Sequence, residues 1–226
     1  MVYWAPKIVK MYRIVFLLLS SCLLVSCTQK KAPSVALPYY NGPDFTPIFI
    51  KNTLEVDKLI THKIRNFTFL NQDSLPISQQ VIERKIHVAN FIFTSCGSIC
   101  PVMTSNMKLV SDRLKNDSDL VFLSFSVTPW IDKPSVLKKY IQRNNISDKR
   151  WQFLTGTKGA IYQLARQSYF AEEDLGFSKD STEFLHTEHF ILVDKWKRIR
   201  GIYNGTLGLE MEQLVADIKI LKQEHQ

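Results

Sequence analysis

Residues 86 to 101 read Ile86-His87-Val88-Ala89-Asn90-Phe91-Ile92-Phe93, then Thr94-Ser95, then Cys96-Gly97-Ser98-Ile99-Cys100-Pro101, and this stretch decides the fold. Its first eight residues are apolar on both alternating faces, the pattern of a central strand covered on both sides. A cysteine follows almost directly. Pro101 suits the first position of a helix, and Met103, Met107, Val110 and Leu114 then recur at the spacing of one amphipathic helix face. Leu120 to Val127 reads as a second buried strand. Residues 86 to 127 are therefore expected to form a βαβ unit with both cysteines at its first strand–helix junction.

The flanking sequence extends the same pattern. Phe67 and Phe69 alternate with polar neighbours in an expected first strand, and Asn71-Gln72-Asp73-Ser74 supplies a turn. Asp132 is placed to cap a helix whose inward residues are Val136, Leu137, Tyr140 and Ile141. A short strand from Trp151 to Leu154 and a helix around Ala160 to Arg166 follow. Glu172 to Glu183 is polar and acid-rich, a long surface loop that ends just before His186. Phe190 to Val193 and Ile199 to Tyr203 flank Lys195-Trp196-Lys197 as a hairpin, and Leu207, Met211, Leu214, Ile218 and Leu221 mark a closing helix. This order predicts an α/β, thioredoxin-like fold: a central mixed β-sheet flanked by helices, with an N-terminal extension and no internal repeat.

That extension has its own logic. Lys7, Lys10 and Arg13 precede an apolar run from Ile14 to Ser26, the layout of a secretory signal and too short for a stable bilayer-spanning helix. The run ends in Leu24-Val25-Ser26-Cys27, which resembles the lipobox of bacterial lipoproteins. The resemblance implies cleavage before Cys27 and attachment of lipid to it. Residues 1–26 are then a signal peptide, 27–47 a lipid-anchored tether containing Pro33, Pro38, Pro43 and Pro47, and 48–226 the folded domain. Met11 to Cys27 alone already makes a complete short signal. The expected location is extracytoplasmic, on a bacterial membrane and facing the periplasm.

Cutting after Ser26 takes 26 from 226 residues, leaving 200; losing three cations and no acid lowers the formal charge from +8 to +5. The remaining cations are interspersed with acids, as in Asp194 to Arg200, which argues for a solvated face and against a nucleic-acid footprint.

Of four cysteines, Cys22 leaves with the signal and Cys27 is taken by lipid, so the domain keeps Cys96 and Cys100. A disulfide between these two closes so small a loop that it would constrain the unfolded chain little. Redox or metal chemistry is the better reading of two thiols kept close together. Amide groups and the positive dipole end of a helix favour thiolate over thiol, which is both the attacking form in disulfide exchange and a soft metal ligand. Copper(I) accepts low coordination and prefers thiolate with imidazole as a suitable third ligand, whereas a structural zinc site needs four ligands. The histidines are His62, His87, His186, His189 and His225. His225 sits in the terminal tail, His87 reads as a core histidine within a buried strand, and His62 has no partner in view. His186 and His189 stand three apart at the start of the hairpin strand, where an extended chain points them to opposite faces, so one site uses only one of them. Met103 and Met107 read as core packing.

Three motifs, Phe93-Thr94-Ser95-Cys96-Gly97-Ser98-Ile99-Cys100-Pro101, Phe125-Ser126-Val127-Thr128-Pro129 and His186-Thr187-Glu188-His189-Phe190-Ile191-Leu192-Val193-Asp194, together resemble the Sco/SenC family. The resemblance runs from about Asn66 to the terminal helix. It implies a thioredoxin-like fold and copper, Cu(I) or Cu(II), held by Cys96, Cys100 and His186. His186 matches the family histidine because it stands four residues before the apolar residue opening the strand. The implied partners are the CuA subunit of cytochrome c oxidase, a thiol-disulfide reductant, and the membrane through the N-terminal lipid. Asp132 matches the second acid of the family's Asp-Pro-x-x-Asp stretch and is read as a helix cap. Gly97 and Ser98 replace the Pro and acid common inside the motif, and Thr128 replaces the first acid before Pro129, which loosens the loop and removes negative charge without removing a ligand.

Two functions stand beside each other. In one, a copper chaperone passes the ion by ligand exchange. In the other, a thiol-disulfide reductase uses Cys96 and Cys100 as a redox dithiol to keep the oxidase copper-site cysteines reduced. Redox sensing or peroxide removal on the same fold, and a binding module with an inert cysteine pair, are the remaining classes.

Overall fold

The computed structural model describes residues 36–171 and 187–224. In chain order the strands are β1 (Tyr39–Tyr40), β2 (Pro47–Ile48), β3 (Thr68–Asn71), β4 (Pro76–Ser78), β5 (Ile86–Ile92), β6 (Leu120–Ser126), β7 (Trp151–Thr155), β8 (His189–Val193) and β9 (Ile199–Asn204). The α-helices are α1 (Val56–Leu59), α2 (Ile99–Arg113), α3 (Pro134–Arg143), α4 (Lys158–Gln167) and α5 (Gly208–Glu224). Short 3₁₀ turns precede α1 at Thr53–Glu55 and follow β4 at Gln79–Ile82.

One mixed sheet runs in the order β2-β1-β9-β8-β5-β6-β7-β3-β4. Strands β5 and β6 are parallel and joined through α2, as are β6 and β7 through α3, while β8 pairs antiparallel to β5. The central strands are apolar on both faces because both faces are covered. Ile86, Val88 and Ile92 of β5 pack with Leu120 and Phe122 of β6 under Met103, Met107, Leu214 and Ile218 from α2 and α5. Ala89 and Phe91, with Val121, Leu123 and Phe125, pack the other way against Phe69, Ile161 and Tyr169. Burying a side chain of this size is worth about 1.5–3 kcal/mol. Asn90 escapes a penalty on one side chain atom, since its Oδ1 accepts from Ser124 Oγ at 2.6 Å, and Ser124 Oγ in turn accepts from Trp151 Nε1 at 2.9 Å.

Three expectations change. The expected tether through residue 47 ends earlier, because residues 36–48 join the domain: Tyr40 pairs with Ile199, and Leu37 and Tyr39 are buried. The cause is Arg200, whose guanidinium donates to the carbonyls of Pro38 and Leu37 and to Glu224, and stacks 3.9 Å above the Tyr39 ring. The helix after Asp132 starts at Pro134 with Lys133 as its cap residue, so Asp132 is not a cap. Helix α2 begins at Ile99, two residues before Pro101, which still lies in the first turn where its missing N–H breaks no helical bond. The Glu172–Glu183 loop expectation falls outside the described residues, as do Cys27 and the signal.

Candidate metal and redox site

The loop between β5 and α2 has an unusual way of starting its helix. Ser98, the cap residue, makes no side-chain capping bond. The amide groups of Cys100, Ser98 and Ile99 and the Cys100 thiol lie about the Cys96 sulfur and favour its charged form. Burial raises the Cys96 pKa, and these donors more than reverse that, so its thiol is held below its ordinary value. A sulfur in the place of a capping oxygen therefore gains stabilisation specifically as thiolate.

Cys100 has the opposite environment. It lies in the first turn of α2 and packs into the core beneath that helix. Burial, then the neighbouring Cys96 and the Asp132 carboxylate, push its thiol up to about 12, against a lowering hydrogen bond from the Phe93 backbone. The pair therefore divides into a half-exposed thiolate-prone sulfur and a buried sulfur that keeps its proton. Neither is in a disulfide. Gly97 is exposed and a Cβ there would meet nothing within 4 Å, so the loop is open on its outer side.

Asp132 is the residue the sequence reading placed wrongly. It is fully buried, and its carboxylate accepts from the Thr94 amide at 3.1 Å, from Ser126 Oγ at 2.7 Å and from Thr128 Oγ1 at 2.9 Å, with Thr94 Oγ1 donating to its other oxygen. The end of β6 and the root of the cysteine loop are thereby fastened to one anion. The alternating Ser126 and Thr128 hydroxyls next to an acid were the only sequence signal, and a local cap explained them equally well.

The histidines sort cleanly. His87 Nε2 bonds Tyr169 Oη at 3.1 Å inside the core, as expected of a core histidine. His62 does have a partner, the Ser168 carbonyl at 2.8 Å from its Nε2, and lies against the Phe170 ring. His189 opens β8 and meets Phe45 edge-on, a ring of the cluster on the sheet face opposite the one that holds Cys100. Of the two histidines left open at this strand, His189 thus faces away from the dithiol. His186 lies outside the described residues. The chain resumes at Thr187, beside the β8 terminus that runs antiparallel to β5, which is the end of the sheet from which the cysteine loop departs. Met103 and Met107 are fully buried in the core. Among the described residues no group of three or more His, Cys, Asp or Glu is arranged to hold a metal ion. Among the described residues, Cys96 and Cys100 are the free thiols of this site.

Comparison with known proteins bears on the family and the fold. The family described as SCO1/SenC matches residues 57–223. A SCO1/SenC family lipoprotein from Bacillus anthracis is 31% identical and superposes with a TM-score of 0.63, over 71% of this chain and 95% of the other. BsSco, described as a member of the Sco family of cytochrome c oxidase assembly proteins and as containing a disulfide switch, is 31% identical with a TM-score of 0.61, covering 72% and 94%. Bradyrhizobium japonicum ScoI with copper bound, at 22% identity and a TM-score of 0.55 over 69% and 96%, shares the fold. The α/β architecture is thioredoxin-like, as the order of elements predicts.

Proposed function

The chain belongs to the SCO1/SenC family, and from that premise we propose that it is a copper-binding chaperone for assembly of the CuA site of cytochrome c oxidase. Copper is its cargo, taken up through Cys96, Cys100 and His186 and passed on by ligand exchange. The observation that carries this reading is the sulfur pair itself: two free cysteines set together at a helix start, one of them already favoured as thiolate. Soft, low-coordinate Cu(I) fits that donor set. Loading requires Cys100 to release its proton, and a cation beside the sulfur supplies the charge that offsets burial. Asp132 holds the loop in place, and Gly97 and Ser98 leave its outer side open to a partner.

A second reading rests on the division between the two thiols. Cys96 is placed as the attacking sulfur: its thiolate opens a partner's disulfide, forms a mixed disulfide and releases one partner thiolate. Cys100, on losing its proton, then attacks Cys96 and releases the second, so the dithiol is oxidised by two electrons as the partner is reduced. The same reduced state serves both tasks. We further propose that Cys27 carries lipid and holds the domain at the outer side of a bacterial membrane; among the described residues no helix is long and apolar enough to cross one.

Titration of the reduced protein with Cu(I) and Cu(II), in parallel with His186→Ala and His189→Ala, tests the chaperone reading. The expected result is loss of affinity and altered spectra in His186→Ala alone. Unchanged binding there removes the assigned third ligand, and wild-type binding no tighter than that of a generic dithiol puts the reductase reading first.

A further inference from the structure

The dithiol does not stand alone at its end of the fold. Helix α2 starts at Ile99, just behind Cys96, and α5 starts at Gly208 on the same face of the sheet. Two cross-ties hold these helices side by side: Asn106 Nδ2 donates to the Gly205 carbonyl at 2.8 Å, and Arg113 pairs with Glu212. Both ties join residues 99 positions apart. The helices therefore run parallel and in register, with their N-terminal ends together at the dithiol.

Their outward surface is apolar. Val102, Asn106, Leu109 and Arg113 recur at steps of four, three and four, so they share one stripe of α2, and Leu209 stands one turn before Glu212 on α5. The two ties thus set Val102 and Leu109 on one side of a shallow groove and Leu209 on the other. Val102 is 45% exposed, Leu109 38%, Leu207 51% and Leu209 83%. The core beneath is filled without them, by Met103, Met107 and Val110 from α2 and by Met211, Leu214 and Ile218 from α5. The turn that carries Leu207 is rigid: the Gly205 N–H donates to the Glu188 carbonyl at 2.7 Å, and the Leu207 N–H to the Asn204 carbonyl at 3.1 Å. A Cβ at Gly205 would lie 2.5 Å from the Phe190 ring, so the chain is closely seated there. The groove is formed in advance, and a partner has little to order on binding.

Charge, size and position say what fits it. The charges beside the groove neutralise each other, Arg113 with Glu212 and Lys108 with Asp112, so recognition there is apolar. The four side chains present on the order of 300 Å², the scale of a functional patch on a monomer, whereas a stable dimer needs about 800 Å² from each copy. A partner that docks briefly and leaves suits this area. Val102 is the second residue after Cys100, and the helix from Ile99 to Leu109 spans only about 15 Å. A protein that brings a cysteine to Cys96 comes over the start of α2 and meets these side chains. We propose that the α2–α5 groove is the docking surface for the protein that receives copper or electrons from the dithiol, holding an apolar segment of that partner beside its cysteines. The proposal rests on the reading that the dithiol serves the oxidase CuA subunit. It gives the site a selectivity that two sulfurs lack, since a small disulfide reaches Cys96 without touching Leu109 or Leu209.

The test compares a protein substrate with a small one on the reduced full chain. The protein substrate is the CuA subunit with one copper-site cysteine changed to Ser and the other joined by a disulfide to thionitrobenzoate; the small one is dithiobis-nitrobenzoate. In both, the Cys96 thiolate attacks the disulfide, a new S–S bond forms, and the coloured thionitrobenzoate anion leaves. Leu109→Gln with Leu209→Gln is expected to slow release from the subunit about tenfold. Release from the small reagent is expected to stay unchanged, which also shows that fold and thiols are intact. Leu54→Gln, at a leucine 89% exposed whose neighbour Thr53 shares a cleft with Glu224 at the far end of α5, is expected to change neither rate. Equal rates on the subunit for wild type and the groove variant overturn the proposal, and so does equal slowing by Leu54→Gln. A dimer in sedimentation that the groove substitutions abolish assigns the face to a second copy and overturns it too. The function reading fails separately: a wild type that neither exchanges with the modified subunit nor passes Cu(I) to the unmodified one removes that reading and this proposal with it, a result distinct from an active wild type matched by its variant.

Discussion

Replacing Asp132 separates a structural anchor from a helix cap. Its buried carboxylate accepts four hydrogen bonds, from the Thr94 amide and the hydroxyls of Thr94, Ser126 and Thr128. In Asp132→Ala the three hydroxyls can rotate toward other acceptors, but the Thr94 N–H cannot, and a buried orphan donor costs about 1–3 kcal/mol. Adding the lost charge-assisted bonds brings the expected loss to about 3–5 kcal/mol, a large share of the usual 5–15 kcal/mol. Asp132→Asn keeps the shape and one oxygen; its new amide group requires only the Thr94 hydroxyl to reverse, so the loss is about 1–2 kcal/mol. Urea unfolding of the reduced protein reads both, provided the slope m is unchanged. Asp132→Asn also removes a negative charge that raises the Cys100 pKa, so Cys100 should ionise more readily in that variant. A loss below about 1 kcal/mol in Asp132→Ala, the size of an ordinary exposed cap, would refute the anchoring role. Equal losses in the two variants would refute the argument from the orphan amide.

Three further predictions follow from buried groups. Alkylation of the reduced, metal-free protein at neutral pH should modify Cys96 first: Cys100→Ser keeps the fast phase and Cys96→Ser loses it, because Cys100 is pushed up to about 12 while Cys96 is held low. Burial lowers the His87 pKa from 6.5 to about 3, so below pH 6.5 the unfolded chain binds a proton that the folded one refuses. Its contribution to stability is intact above pH 6.5 and falls by about 1.4 kcal/mol per unit as pH drops toward 3; in His87→Gln that part of the acid slope in urea midpoints disappears. Arg200→Met strands Asp194 and Glu224 and releases the Leu37 and Pro38 carbonyls, so it should cost about 3–5 kcal/mol and expose residues 36–60 to limited proteolysis before the rest.

The βαβ unit was legible because its signals are local. Alternation through residues 86–93 and 120–127 reports burial on both faces, and Met103, Met107 and Val110 report one helix face. The start of the domain was not legible. Two-residue strands carry no period, and what holds Leu37 and Tyr39 is an arginine more than 160 positions away. Asp132 was misread for a related reason: a nearby helix offers a local explanation, while Thr94, its most telling partner, is 38 positions upstream. The dithiol could be found from strand, cysteine and helix in succession. Its asymmetry could not, because which sulfur caps the helix and which sits in the core depends on the path of Gly97 and Ser98.

The central claim is that both sulfurs and one imidazole hold copper. X-ray absorption at the copper edge, recorded on the stoichiometric Cu(I) or Cu(II) form, counts those donors directly. The account predicts two sulfur scatterers and at least one imidazole, with Cys96→Ser and Cys100→Ser each losing one sulfur and His186→Ala losing the imidazole signal. A wild-type spectrum with fewer than two sulfurs, or one whose imidazole survives His186→Ala, would contradict it.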